Sequence, residues 1–209
     1  MNPLLPPAGK EERGCVSPLR LARWLVLGVA VAAVIGEYVW IARPAISQLN
    51  GAVPSQVYYN LLVDGFRAGQ LSLKKAPAAE LARLPNPYDP AQNMPYRLHD
   101  VSYFHGRYYL YFGVTPALLL FWPYEAITGA YLWHKEAVMI FCAGGFLVSV
   151  GIILALRRRY FPEVAPGVLA AGALALGGAT MVPVLLRRPD VWEVPISCCL
   201  LYTSPSPRD

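Results

Sequence analysis

Along the chain, long apolar runs alternate with one broad hydrophilic stretch, and this pattern divides the molecule. Residues 1–20 are polar, Pro-rich and basic, with Lys10, Arg13 and Arg20 ahead of the first apolar run, and read as a cytoplasmic leader. Residues 21–42 are almost continuously apolar and long enough, at 1.5 Å per residue, to cross a hydrocarbon core of roughly 30 Å. A cleaved signal peptide is the competing reading. The run is too long for a signal core, and Glu37-Tyr38-Val39-Trp40 is no small-residue cleavage site. With the basic flank inside, residues 43–112 emerge as an outer-face loop.

Within that loop, Ser55 can cap a helix running to about Gly69. In it Tyr58, Leu61, Leu62 and Phe66 form an apolar stripe opposite Gln56, Asn60, Asp64, Arg67 and Gln70. Such a helix would lie on the membrane surface. Residues 77–84 predict one further helical turn, and Pro85-Asn86-Pro87-Tyr88-Asp89-Pro90 an extended turn segment. Val101–Phe104 and Arg107–Phe112, joined by His105-Gly106, predict a β-hairpin with Gly at the turn.

Residues 113–129 contain Pro116, Pro123 and Glu125 and make a poor spanning helix, either re-entrant or a short span. Residues 136–156 and 164–186 read as spans, the latter with small residues suited to close helix packing. The re-entrant alternative is favoured, because it leaves Arg157, Arg158 and Arg159 on the inner face, although Arg187 and Arg188 pull the other way. Residues 187–198 then begin the next loop. The resulting expectation is an all-α membrane protein: a multi-span helical bundle with an outer-face loop of amphipathic helix plus β-hairpin, placed in the cell membrane.

Residues 199–209, Cys-Leu-Leu-Tyr-Thr-Ser-Pro-Ser-Pro-Arg-Asp, match one frame of the transposase adapter used in shotgun library preparation. They are expected to carry no fold information, and the natural reading frame to continue past Cys198.

Composition agrees with a membrane protein: 56% of the 209 residues are apolar and 15% charged. The formal charge of +5 is dispersed as flanks of apolar runs, which argues against a nucleic-acid partner. Four cysteines, two of them at or beyond the adapter junction, give neither a disulfide framework nor a zinc spacing. His99, His105 and His134 lack metal-ligand spacing. No nucleotide-binding loop, Ser-His-Asp or Cys-His arrangement is present.

The order of elements carries a resemblance. One span is followed by a large outer loop whose helix reads Tyr58-Tyr59-Asn60-Leu61-Leu62-Val63-Asp64-Gly65-Phe66-Arg67-Ala68-Gly69-Gln70-Leu71. An aromatic segment then enters a Pro-containing helix, Tyr111-Phe112-Gly113-Val114-Thr115-Pro116-Ala117-Leu118. This layout is similar to the amino-terminal part of polytopic GT-C membrane glycosyltransferases, which take sugars from polyprenyl-phosphate donors on the outer face. The family commonly places an acid at the start of the loop helix; here Ser55 or Gln56 stands there, and the nearest helix acid is Asp64.

The resemblance implies membrane lipid and a polyprenyl-phosphate-linked sugar as partners. Transfer to a hydroxyl requires a general base, for which Asp64 and Asp100 are the catalytic candidates. The departing phosphate requires positive charge, from an arginine or from a divalent cation held by carboxylates; no metal ligand set or other cofactor is assigned. Arg67, Arg97 and Arg107 are the arginines of the loop, and Tyr103, Tyr108 and Tyr109 could stack on a sugar.

Each candidate has a plainer role. Asp64 could pair with Arg67 on a solvated helix face, Asp100 and Asp89 could serve turns, and the tyrosines could form an interface belt or hairpin packing. His99 and Asp100 could be a base and its orienter, but consecutive residues of a strand point to opposite faces and would not face one another. Glu37, inside the first span, is an intramembrane carboxylate. Arg187-Arg188-Pro189-Asp190-Val191-Trp192-Glu193 would join the loop in one site if it lies on the same face, and be a simple anchor otherwise. The alternative to an enzyme is a transporter or an envelope-assembly protein with a partner-binding loop.

Overall fold

A computed structural model describes residues 18–44 and 53–203, with side chains from residue 24 onward. Most of the leader, and residues 204–209 of the adapter-like tail, lie outside the described residues.

Helix α1 (Pro18–Ala42) is the first described element, and after a short 3-10 turn α2 (Tyr58–Arg67) follows. Two brief helices, α3 (Ala79–Arg83) and α4 (Pro90–Asn93), lead to an antiparallel hairpin of β1 (Ser102–Phe104) and β2 (Arg107–Tyr109). A π-helical turn (Ala117–Phe121) runs into α5 (Trp122–Thr128). The remainder is α6 (His134–Tyr160), α7 (Pro166–Gly178), α8 (Val182–Arg187) and α9 (Glu193–Thr203). The fold is therefore mostly helical with one small two-stranded sheet.

Two helices among the described residues are long and apolar enough to cross a membrane, Trp24–Ala42 and His134–Tyr160. The stretch expected as a further single helix over 164–186 is interrupted between α7 and α8. Gly177-Gly178 weakens the helix, the Thr180 hydroxyl accepts from the Val182 N–H (3.4 Å), and Pro183 supplies no N–H to continue the ladder.

The buried stripe Leu27, Ala30, Val34 and Tyr38 of α1 recurs every three or four residues and packs on Leu169, Ala170, Ala173 and Gly177 of α7. A Cβ on Gly177 would overlap Val34, and the Gly177 carbonyl accepts from the Tyr38 hydroxyl (3.1 Å). Tyr38 also meets Phe146 edge-to-face at 5.9 Å, tying α1 to α6. Helix α9 lies along the first half of α6. Leu200 and Leu201, within the adapter-like segment, rest over Gly145 and Gly144, because two leucines simply prolong the apolar face of α9.

The loop helix departs from its expected setting. Tyr58 to Val63 and Gly65 are all buried, so α2 is a core element and not a surface-lying one. Tyr59 stacks on Phe121 (5.2 Å) and Phe66 meets Trp122 (6.0 Å), so the 117–128 segment covers its second face. Asn60, expected on the polar side, is 1% exposed and donates to the carbonyls of Pro54 and Leu132 at 2.8 Å each. Ser55 is not the cap: the helix starts after Val57 with no side-chain cap, on a turn preset by Pro54.

The hairpin pairs Ser102 with Tyr109, Tyr103 with Tyr108 and Phe104 with Arg107. His105 (φ 46°) and Gly106 (φ 74°) both adopt positive φ, as the right-handed strand twist demands of a two-residue turn. Asp89 caps α4, accepting from the Ala91 N–H at 2.9 Å.

Candidate functional site

Where the 43–112 loop meets the segment after α8, a cleft of about 260 Å³ is lined by Tyr58, His99, Asp100, Arg188, Asp190, Val191 and Trp192. Tyr58 stands at the first turn of α2 and donates to the His99 carbonyl (2.7 Å), fixing the approach to the hairpin. Burial first, then the charges of Asp100 and Tyr108, push the Tyr58 phenol up to about 12, so it is a donor at any ordinary pH.

Asp100 lies before β1 in the left-handed region (φ 58°), which Asp tolerates better than most residues. That conformation overturns the strand argument: His99 and Asp100 are not on opposite faces, and Nε2 of His99 lies 3.5 Å from Oδ2 of Asp100. The Asp100 side chain is 15% exposed, whereas His99 is largely open to solvent.

The opposite wall comes from the segment between α8 and α9. Asp190 is buried, with Nε of Arg188 3.7 Å from its Oδ2, and its N–H donates to Oε2 of Glu193 (3.1 Å). Burial raises the pKa of Glu193. Trp192 packs edge-on against Phe112 (4.5 Å) and Tyr111 (6.2 Å), which pins this segment to the loop.

Of the residues given a catalytic or sugar-binding role from the sequence, Asp100 alone lines this cleft; it is joined there by Arg188, Asp190 and Trp192 of the run 187–193. Asp64 sits elsewhere, accepting from the Tyr131 hydroxyl (3.1 and 3.3 Å). Arg67 does not pair with Asp64, since its guanidinium forms an ion pair with Glu125 across the α2–α5 contact. Arg97 borders a shallow surface depression with Lys75, Tyr96 and Tyr108. Arg107 borders another with Lys74, Lys75 and Gly106.

Tyr103, Tyr108 and Tyr109 serve the hairpin. Tyr103 contacts Tyr108 (6.0 Å) and Tyr88 (5.9 Å), Tyr108 is buried, and Tyr109 meets Phe104 (6.5 Å).

Tyr58 had no site role in the sequence reading, where it belonged to the apolar stripe of the helix; His99 was weighed only beside Asp100, and Asp190 and Trp192 only as members of the run 187–193. His134, at the start of α6, is buried edge-on to the Tyr59 ring (6.2 Å).

Among the described residues no group of three or more His, Cys, Asp or Glu side chains is placed to hold a metal ion. The cleft therefore offers two carboxylates, a guanidinium, an imidazole, a phenol and an indole on adjoining walls. At 260 Å³ it falls just below the roughly 300–1,000 Å³ of drug-sized ligand pockets and suits one small polar unit. No protein-family model, curated protein or solved structure matches the chain.

Proposed function

We propose that this chain forms part of a membrane glycosyltransferase that moves a sugar from a polyprenyl-phosphate donor to an envelope acceptor, with the Asp100–Asp190 cleft as its site. The observation that carries the reading is the convergence of Asp100 and Asp190 with Arg188 and Trp192, from segments far apart in the chain, on one sugar-sized cleft. In this reading α1 and α6 cross the membrane in a multi-span bundle, the 113–129 segment re-enters, and the cleft opens on the outer face.

Asp100, the carboxylate that borders both solvent and cleft, takes the proton of the acceptor hydroxyl. The acceptor oxygen then bonds to the anomeric carbon as the bond from that carbon to the phosphate oxygen breaks. The electron pair leaves with the phosphate, whose charge Arg188 stabilises. Trp192 offers an indole to the sugar face, and Asp190 holds the Arg188 guanidinium in place.

In the expressed protein, Asp100→Asn should lower transfer from a polyprenyl-phosphate donor by at least about 10²-fold, the lower range for a lost general base. Asp190→Asn should weaken donor use. Asp64→Asn, remote from the cleft, should retain activity. Full transfer by both the Asp100 and Asp190 variants would remove the assignment, and substrate movement without a covalent product would replace it with transport.

A further inference from the structure

On the side of α1 next to α8, a second cavity of about 690 Å³ is lined by Trp40, Ile41, Arg43, Pro44, Pro183 and Arg187. Its walls are an indole, an isoleucine and two prolines, and its two charged groups are both arginines. It lies at the carboxyl end of the apolar helix Trp24–Ala42, the level at which a spanning helix leaves the hydrocarbon for the head groups. Trp40 is 72% exposed there, an amphipathic ring where the membrane interface favours one. No side-chain hydrogen bond or ion pair engages Arg43 or Arg187 among the described residues, unlike Arg67, Arg157 and Arg188.

An apolar groove rimmed by two unengaged guanidinium groups at head-group depth matches one kind of molecule. We propose that this groove binds an anionic membrane phospholipid, with its phosphate held between Arg43 and Arg187 and the first part of an acyl chain along Trp40, Ile41 and Pro183. Guanidinium forks suit phosphate oxygens through paired charge-assisted hydrogen bonds, and an apolar wall distinguishes a lipid from free phosphate. Such a lipid would clamp α8 to the end of α1. The inference rests on the membrane embedding of α1 and not on sugar transfer, so either can fail alone.

The test is native mass spectrometry of the full chain released from neutral detergent micelles containing equimolar phosphatidylglycerol and phosphatidylcholine with identical acyl chains. Retention of phosphatidylglycerol is expected to exceed that of phosphatidylcholine about tenfold, the scale of a charge-assisted hydrogen bond. Arg43→Gln/Arg187→Gln should abolish the preference, with the melting temperature in detergent unchanged. If that variant is destabilised, Arg43→Lys/Arg187→Lys, which keeps both charges, should retain part of the preference. Equal retention of the two lipids, or an undiminished preference in the Gln variant, would overturn the proposal. So would displacement of phosphatidylglycerol by inorganic phosphate or by a polyprenyl monophosphate at lower concentration.

Discussion

Tyr58 links three features of the molecule: the first turn of α2, the backbone of His99 and the wall of the cleft. Its pKa is raised from 10 to about 12, chiefly by burial, so the folded state favours the neutral phenol. The sign follows directly. This contribution to stability is fully present below pH 10, and is lost as the pH climbs through about 12. Tyr59 shifts in the same direction by burial, so Tyr58→Phe should flatten the alkaline loss of stability without abolishing it. It should also cost about 1 kcal/mol near neutrality from the lost hydrogen bond to His99, measured by denaturant unfolding in detergent at several pH values. Asp100 allows a cleaner separation of chemistry from conformation. Asn accepts its left-handed backbone, so Asp100→Asn tests the carboxylate alone, whereas Asp100→Val should add about 1–2 kcal/mol of strain visible in the same unfolding experiment.

At the scale of elements, the long apolar helices and the hairpin were legible because each is written locally: an unbroken apolar run, or aromatic arms around a residue pair able to take positive φ. Helix α2 was legible as a helix and not as a core element. Its period gives one stripe, but its second face is covered by the 117–128 segment, whose approach no local pattern encodes. Asn60 shows the cost of reading polarity as exposure. A buried amide is acceptable here because Pro54 and Leu132 present carbonyls to it, one of them distant in sequence. Asn60→Ala should therefore destabilise the protein by about 1–3 kcal/mol, the range for acceptors left unsatisfied, and a thermal melt should show it. On a solvated face the same change would be within about 0.5 kcal/mol of neutral. The break between α7 and α8 was missed for a related reason: hydropathy averages smoothly over Gly177 to Pro183, while the backbone responds to the missing N–H.

At the scale of the whole molecule, aromatic contacts fix which chain segments share an end of the helices. Arg157 lies 5.1 Å from the centre of the Trp24 ring, so the end of α6 returns to the start of α1. Trp192 packs on Tyr111 and Phe112, so the residues between α8 and α9 rejoin the hydrophilic loop. The loop and the start of α6 must then lie at the same end, as the contact of His134 with Tyr59 requires. Both ends of the 113–129 segment therefore lie at that end of the helices. Its π-helical turn and α5 are five and seven residues long, at most about 18 Å at 1.5 Å per residue, too short to cross roughly 30 Å of hydrocarbon. This is also why the Asp100–Asp190 pairing was hidden in the sequence: it depends on the parity of crossings, which an ambiguous Pro-containing run leaves open. In a cysteine-free background embedded in sealed vesicles, single cysteines at His99 and Arg188 should react with a membrane-impermeant maleimide from one side, and a cysteine at Arg158 only from the other. Labelling at positions 99 and 158 from the same side, with position 188 reacting only from the other, would mean that 113–129 crosses, and would separate the two walls of the cleft by the width of the membrane.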